Sequence, residues 1–264
     1  MIAHDHETVA ALLADAGFVA ADEEAEELLA RAGGDAELLD SLVQRRLTGE
    51  PLAWITGKVE FCGLEIRVDP GVYVPRWQSE LLARRAVEHL PASGTAIDLC
   101  TGAGAIARTL SANRPGARVV ASDLDERAVA CARANGVEAH QGDLFAPLPS
   151  GLHGRVDVVV GVVPYVPTAD LPLLQRDTLT FESTLSYDGG QDGTAVLRRV
   201  LTDSVGFLRP GGALLLELGA EQPEALAEDL DRLGYANVTV LHDKDGDVRG
   251  LEATLSRPVV RGDR

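Results

Sequence analysis

The sequence predicts an α/β protein in which a small bundle of helices precedes a doubly wound, largely parallel β-sheet. Two patterns lead to this fold class. Apolar residues recur at helical spacing over residues 8–47, and from about residue 79 onwards strand-like and helix-like segments alternate. Such alternation indicates right-handed βαβ units, in which each helix connects two parallel strands.

The N-terminal region is predicted to contain three or more short helices. Glycines at positions 17, 33, 34 and 49 separate its apolar stretches, and Asp35 stands where it would cap the last helix. After Pro51 the apolar stretches become shorter and alternate with turn residues, which predicts a β-hairpin. We therefore divide the chain into a helical domain, a linking hairpin and a sheet domain, at residues 1–58, 59–76 and 77–264.

The sheet domain is predicted to contain strands at residues 95–99, 118–122, 137–141, 156–160, 213–218, 238–241 and 251–255. Helices are predicted at residues 79–89, 105–113, 126–134, 194–207 and 222–233. In a sheet of this kind ligands bind at the carboxyl ends of the strands. The residues that follow each strand are therefore the first candidates for a functional site.

The overall charge argues against a nucleic-acid substrate. The chain has a formal net charge of −17 and a pI near 4.7, whereas binding to a phosphate backbone depends on clustered Lys and Arg. Lysine occurs only at Lys58 and Lys244, while Arg, Ala and Gly are abundant, which points to a bacterial source with a GC-rich genome.

The sequence also predicts the environment of the protein. Its N-terminus is polar, and no apolar run approaches the length of a membrane span. Cys62, Cys100 and Cys131 form no C-x-x-C pair, so neither a disulfide framework nor a zinc site is expected. We expect a cytoplasmic protein with no membrane association and no bound metal.

The first three predicted strands end in groups that suit one adenosine-containing ligand. The first strand runs into a glycine-rich turn, DLCTGAGAIA at residues 98–107, where a helix begins and backbone N–H groups are exposed. Asp123 ends the second strand, at about the distance from the glycines at which an acid meets a ribose. Asp143 follows the third strand, where its carboxylate could accept a hydrogen bond from an adenine amino group.

The glycine turn alone leaves two cofactors open. Gly102 and Gly104, with Ala107, also satisfy the dinucleotide fingerprint, so a nicotinamide cofactor must be considered. Asp98 argues against it, because an acid just ahead of the turn would repel a pyrophosphate but could meet the amino group of a methionine moiety. A third interpretation is that Asp98 and Asp123 are ordinary turn and helix-capping residues.

Further short motifs follow one another along the chain: RRLTGEP at 45–51, ITG at 55–57, VPR at 74–76, PGG at 210–212, ELGAEQ at 217–222 and DGDVR at 245–249. Together with the glycine turn, they make the chain resemble the HemK/PrmC family of protein-(glutamine-N5) methyltransferases over nearly its whole length. The resemblance implies a Rossmann-like, seven-stranded class I methyltransferase fold with S-adenosylmethionine as cofactor. It also implies methylation of the glutamine in the Gly-Gly-Gln motif of peptide-chain release factors, with the helical domain engaging this protein substrate.

The resemblance further implies a set of cofactor contacts. Asp123 would hold the ribose hydroxyls, while Asp143 and Leu144 would frame the adenine. The full set of implied contacts is Asp98, Thr101, Gly102, Gly104, Ile106, Asp123, Leu124, Asp143 and Leu144.

The chain departs from the family at the catalytic motif, which reads Asn-Pro-Pro-Tyr in the family and Val162-Val163-Pro164-Tyr165 here. In the family the Asn side-chain oxygen accepts a hydrogen bond from the substrate amide, and a neighbouring backbone carbonyl accepts another. Val162 has no such acceptor, and the loss of one bond is worth about 1–3 kcal/mol, or about one to two orders of magnitude in rate. Activity on glutamine would therefore require a backbone carbonyl, a water or another side chain in its place.

A second departure lies at residues 75–80, which read PRWQSE where the family has Pro-Arg-Pro-Glu-Thr-Glu. Trp77 indicates either altered substrate recognition or packing at the domain junction. A chance match to the family's target motif occurs at Gly189-Gly190-Gln191, in a loop.

Three functions stay open from the sequence. The first is a protein methyltransferase acting on a release factor or a related protein, with residues 162–165 as the acceptor site. The second is a methyltransferase of a small-molecule acceptor, which an apolar Val162-Val163 lining would suit. The third is a non-catalytic relative that binds the cofactor or a release factor.

Overall fold

The computed structural model describes residues 5–174 and 176–256. It begins with four helices, α1 (His6–Asp15), α2 (Ala21–Ala32), α3 (Ala36–Leu47) and α4 (Leu52–Thr56). Their apolar faces form a buried cluster of their own, as the helical spacing predicts. The Asp35 side chain accepts a hydrogen bond from the backbone N–H of Leu38 at 3.0 Å, so the predicted cap of α3 is confirmed.

An antiparallel hairpin follows, formed by β1 (Lys58–Phe61) and β2 (Leu64–Arg67). Phe61 and Ile66 point from the hairpin into the core of the sheet. Helix α4 contributes to both cores, because Trp54 packs with the sheet cluster and Ile55 packs with the helical cluster. The division at residue 58, which stays a prediction, thus falls directly after a helix that both cores share.

The central sheet has seven strands: β3 (Thr95–Leu99), β4 (Arg118–Asp123), β5 (Glu138–Gln141), β6 (Val156–Gly161), β7 (Leu208–Leu216), β8 (Tyr235–His242) and β9 (Val248–Leu255). Their order is β5-β4-β3-β6-β7-β9-β8. All pairs are parallel except those of β9, which runs antiparallel to both of its neighbours. The predicted α/β class with a mostly parallel seven-stranded sheet is confirmed.

Helices cover both faces of this sheet: α5 (Glu80–His89), α6 (Ala105–Asn113), α7 (Glu126–Ala134), α8 (Arg176–Phe181), α9 (Ala195–Phe207) and α10 (Gln222–Arg232). Strand β6 illustrates the two layers, since Val158 and Val160 pack on one face and Val159 packs on the other. Among the described helices, none is long and apolar enough to cross a membrane.

Strand β3 lies between β4 and β6, so the chain leaves β3 towards one side of the sheet and later returns to its other side. Such a reversal opens a crevice at the carboxyl ends of the strands concerned. Here the carboxyl ends of β3, β4 and β6 bring together the glycine turn, Asp123 and the residues 162–165.

Candidate active site

Asp98, at the end of β3, is buried and holds the glycine turn in shape. Its Oδ2 accepts hydrogen bonds from the Thr101 hydroxyl at 2.6 Å and from the backbone N–H of Ala107 at 3.1 Å. Burial raises the pKa of Asp98 to about 7, since desolvation outweighs the two hydrogen bonds. A neighbouring cation would favour the charged carboxylate and bring this pKa down.

The two glycines of the turn lie in different surroundings. Gly104 has a φ of +84°, and a Cβ there would lie 3.0 Å from Val137 Cγ2 and 3.1 Å from Ala132 Cβ. This glycine is therefore required by backbone conformation and by the packing of α6 on its neighbours. Gly102, with a φ of +55°, would place a Cβ no closer than 3.8 Å to protein atoms, and it borders open space.

Asp123, at the end of β4, uses both carboxylate oxygens to organise the backbone. Oδ2 accepts the N–H of Gly102 at 2.9 Å, and Oδ1 accepts the N–H of Asp125 at 2.9 Å. Burial raises the pKa of this carboxyl. The next residue, Leu124, exposes 56% of its surface at the same opening.

Asp143, after β5, is engaged by a residue that the sequence did not indicate. Arg199 of α9 donates from Nη2 to Asp143 Oδ2 at 2.6 Å, and both side chains are about half exposed. The neighbouring Leu144 is buried with a φ of +48°, and its carbonyl accepts the Ser122 hydroxyl at 2.7 Å. Arg199 had no motif to mark it, and only the fold brings it to Asp143.

Two adjoining cavities lie along these strand ends, with volumes of about 220 Å³ and about 40 Å³. Of the residues that the sequence pointed to, the larger cavity is lined by Gly102, Asp123, Leu124, Asp143, Leu144 and Pro164. The smaller cavity is lined by Asp98, Thr101 and Ile106. Four residues border both cavities: Tyr73, Cys100, Gly102 and Val162.

Residues 162–165, which replace the family's catalytic motif and are called the acceptor motif below, occupy different environments. Val162 borders both cavities, and Pro164 lines the larger one. Val163 as a whole is 1% exposed, packs in the core and is not among the residues that line either cavity. In the described part of the chain, the carbonyl oxygens of Val162 and Val163 accept no hydrogen bond.

Tyr165 is fixed at both its side chain and its backbone. Its hydroxyl donates to Glu217 Oε1 at 3.1 Å, and Ser79 donates to Glu217 Oε2 at 2.5 Å. The Gln222 amide donates to the Tyr165 carbonyl at 2.7 Å while its oxygen accepts the N–H of Gly219 at 2.7 Å. Glu217 is buried, which raises its pKa. The ELGAEQ motif thus supplies the residues that hold Tyr165.

A second buried carboxylate, Glu182, organises the wall beside the smaller cavity. Its Oε1 accepts the N–H of Val74 at 2.9 Å, and its Oε2 accepts Arg76 Nη2 at 2.6 Å and the Tyr187 hydroxyl. Glu182 lies 108 residues after Val74 in the chain, so no local pattern could indicate the pairing. The ion pair with the buried Glu182 carboxylate fixes the orientation of the Arg76 guanidinium, although the Arg76 side chain itself is partly exposed.

Trp77 is 61% exposed, and the Arg249 guanidinium lies 5.9 Å from its ring centroid. It is therefore a surface residue in the structure, next to Arg76 at the smaller cavity, and does not fill the core. Of the two interpretations of Trp77 from the sequence, packing at the domain junction is the weaker.

Comparison with known proteins agrees with this geometry. The family model "Methyltransferase small domain" matches residues 64–160, which contain β3 to β5, all but the last residue of β6, the glycine turn and Asp123. The fold and this match define a methyltransferase domain built on a seven-stranded, mostly parallel sheet.

Curated relatives specify the family. The release factor glutamine methyltransferase of Geobacter sulfurreducens is 36% identical to this chain over 211 residues, and the match covers 78% of this chain and 73% of the relative. The enzyme of the same name from Moorella thermoacetica is 40% identical over 215 residues, and the match covers 77% of this chain and 75% of the relative. In Streptomyces coelicolor the identity is 35% over 227 residues, with coverage of 78% and 80%. The chain belongs to the family of release factor glutamine methyltransferases.

Solved structures share the fold. The E. cuniculi Mtq2-Trm112 complex, responsible for methylation of the eRF1 translation termination factor, matches with a TM-score of 0.52 and 25% identity, covering 71% of this chain and 99% of that chain. A methyltransferase from Pyrococcus furiosus matches with a TM-score of 0.55 and 20% identity, covering 81% and 98%.

Proposed function

We propose that this chain binds S-adenosylmethionine across the two adjoining cavities and transfers its methyl group to the side-chain nitrogen of a glutamine in a peptide-chain release factor. The observation that carries the proposal is the position of Val162, the first residue of the acceptor motif, on the border of both cavities. A cofactor that fills the two cavities would pass directly beside the acceptor motif.

The residues present fit this cofactor at both ends. Asp98 is a buried carboxylate whose pKa is raised by burial, and it borders the smaller cavity, where the cofactor's ammonium group would favour its ionised form. Arg76 lines the same cavity and suits the carboxylate of the same amino-acid moiety. Asp123 retains lone pairs for ribose hydroxyls, and Leu124 and Leu144 offer apolar surface to a base.

The cofactor would supply an electrophilic methyl group on a sulfonium centre. This chain's own residues must then orient a poor nucleophile, because the lone pair of an amide nitrogen is delocalised into its carbonyl. The carbonyl oxygen of Val162, which accepts no backbone hydrogen bond from the residues that the structure describes, is a suitable acceptor for an amide N–H at the border of the cavities. Tyr165, held by Glu217 and Gln222, fixes the course of this segment. Methyl transfer to the neutral amide leaves an extra proton on the nitrogen, and this N-protonated amide is acidic enough to lose that proton to water, so no general base is needed.

The helical domain of residues 1–58 would engage the protein substrate. Its helices stand in front of the hairpin that packs on the sheet core, and Trp77 is exposed close to the smaller cavity. An exposed Trp beside an active-site opening is the kind of residue that anchors a protein partner. The net charge of −17 favours a protein over a nucleic-acid partner.

The test measures cofactor binding and methyl transfer separately. Calorimetry gives the affinity for S-adenosylmethionine, and labelled cofactor with mass spectrometry locates any methyl group added to a purified release factor. The matched control is the release factor with its Gly-Gly-Gln glutamine changed to alanine. Labelling of the natural factor alone supports the proposal. Cofactor binding without labelling would contradict it and favour the small-molecule acceptor that the apolar Val162 side chain suits.

A further inference from the structure

Tyr73 precedes the VPRWQSE segment and borders both cavities, as Val162 does. Its Cβ and carbonyl lie on the side of Gly102 in the glycine turn. Other hydroxyl-bearing residues line one cavity each: Ser79 and Thr101 line the smaller one, and Ser122, Ser183 and Ser186 line the larger one. Among the four residues that border both cavities, Tyr73 is the one that carries a hydroxyl.

The Tyr73 ring is held by its neighbours. The Tyr187 ring meets it edge-on at a centroid distance of 5.6 Å, and the Arg76 guanidinium lies 5.2 Å from its centroid. Both neighbours bond to Glu182, which is 4% exposed. A side chain fixed in this way loses little further freedom when it binds a substrate.

The Tyr73 hydroxyl keeps hydrogen-bonding capacity. Burial raises the pKa of Tyr73 to about 12, so the hydroxyl stays protonated at neutral pH. The charged groups that face it are Arg76, Glu182 and Glu217. A guanidinium can only donate, so contact with Arg76 uses one lone pair of the phenol oxygen and leaves the other available.

We infer that the Tyr73 hydroxyl accepts a hydrogen bond from the N–H of the acceptor glutamine and thereby replaces the acceptor that Val162 lacks. The inference rests on the proposed function. In the transfer the sulfonium C–S bond breaks as the N–C bond forms, and the amide proton leaves to water. Tyr73 exchanges no proton and orients the nitrogen, with the backbone carbonyl of Val162 accepting the second N–H.

The experiment is a double-mutant cycle of Tyr73→Phe and Val162→Asn, with Tyr235→Phe as the matched control. The Tyr235 hydroxyl donates to the Leu201 carbonyl at 2.8 Å, away from both cavities. We expect Tyr73→Phe to lower kcat by about 10- to 100-fold on the release factor, with the Kd for S-adenosylmethionine unchanged. In the Val162→Asn background the same change should cost less than about threefold, because the Asn oxygen then supplies the acceptor. Equal losses in both backgrounds, or no loss in either, would overturn the inference.

A binding measurement separates this inference from the proposed activity. We expect Tyr73→Phe to weaken a Gly-Gly-Gln peptide by about tenfold on the protein saturated with S-adenosylhomocysteine, and to leave the alanine analogue of the peptide unaffected. If the wild type transfers no methyl group but shows this difference, the proposed activity fails and the Tyr73 contact stands. If Tyr73→Phe binds the glutamine peptide as the wild type does, or if the wild type binds no peptide, the contact is refuted. Thermal melting checks that each variant is folded.

Discussion

Asp98 makes cofactor binding depend on pH in a direction that can be derived. In the free protein its pKa is raised to about 7 by burial. An ammonium group in the smaller cavity favours the ionised carboxylate, so the cofactor binds preferentially to the protein in which Asp98 has lost its proton. Affinity should therefore fall as pH falls below 7. The α-amino group of a free amino acid moiety titrates at about 7.7–8.0. The affinity is therefore measured at pH 7 and below, where the cofactor's ammonium group stays charged.

The size of the effect follows from the ionised fraction of Asp98. That fraction drops from about one half at pH 7 to about one tenth at pH 6, so the Kd should rise about fivefold over this unit and about tenfold over the next. Titration calorimetry in two buffers of different ionisation enthalpy should also detect the release of nearly one proton per cofactor bound at pH 6. Asp98→Asn should bind more weakly at pH 7 and show a flat profile. A wild-type Kd that is constant from pH 7 to 5.5, or an equal slope in the variant, would refute the reasoning.

Three further predictions concern the same region. Because the pKa of Asp98 is raised, the free folded protein loses stability as pH rises from about 4 to 7, so Asp98→Asn should raise the Tm of the cofactor-free protein at pH 8 and change it little at pH 4. Arg199→Ala should free Asp143 and tighten cofactor binding severalfold in calorimetry, with a stability change below about 1 kcal/mol because the ion pair is half exposed; weaker binding would instead give Arg199 a direct role. Gly104→Ala should cost about 2–4 kcal/mol in urea unfolding, from its positive φ and the contacts at 3.0 and 3.1 Å. Gly136→Ala is the matched control, since its φ of +82° carries the backbone strain without a neighbour within 4 Å, and equal costs would contradict the packing argument.

The sequence predicted the sheet well because most strands are short apolar runs between turn residues. The predicted strand bounds were wrong at the ends of strands whose residues do not follow the apolar pattern. Strand β7 begins at Leu208, before the Pro210-Gly211-Gly212 turn signal, and the register with β6 shifts there. Strand β8 extends from Tyr235 to His242 although several of its residues are exposed and polar. The short helix α8 had no periodic pattern long enough to detect.

Some residues of the candidate site were likewise predicted from the sequence, and others were found only in the structure. Asp98 and Asp123 lie at the ends of strands and were found from their positions in the chain. Neither is the N-cap residue of the helix that follows, since those residues are Gly104 and Asp125. Both nonetheless bond backbone N–H groups and also line a cavity. Arg199 was missed because its partner Asp143 lies 56 residues away, and Glu182 was missed because Arg76 and Val74 lie 106 and 108 residues away. Cys100 was missed as well. Its φ of +53° lies in a region that favours glycine, and this backbone conformation is visible only in the structure.

The helix α4 connects the front of the molecule to the wall of the smaller cavity. Trp54 donates from its ring nitrogen to the Val72 carbonyl at 2.9 Å, and its ring meets Phe181 edge-on at a centroid distance of 6.1 Å. Phe181 directly precedes Glu182, and Val72 directly precedes Tyr73. Helix α4 therefore ties the helical bundle to the wall of the smaller cavity through a hydrogen bond and a ring contact. A partner bound to the first helices would therefore have a fixed position and orientation relative to the two cavities.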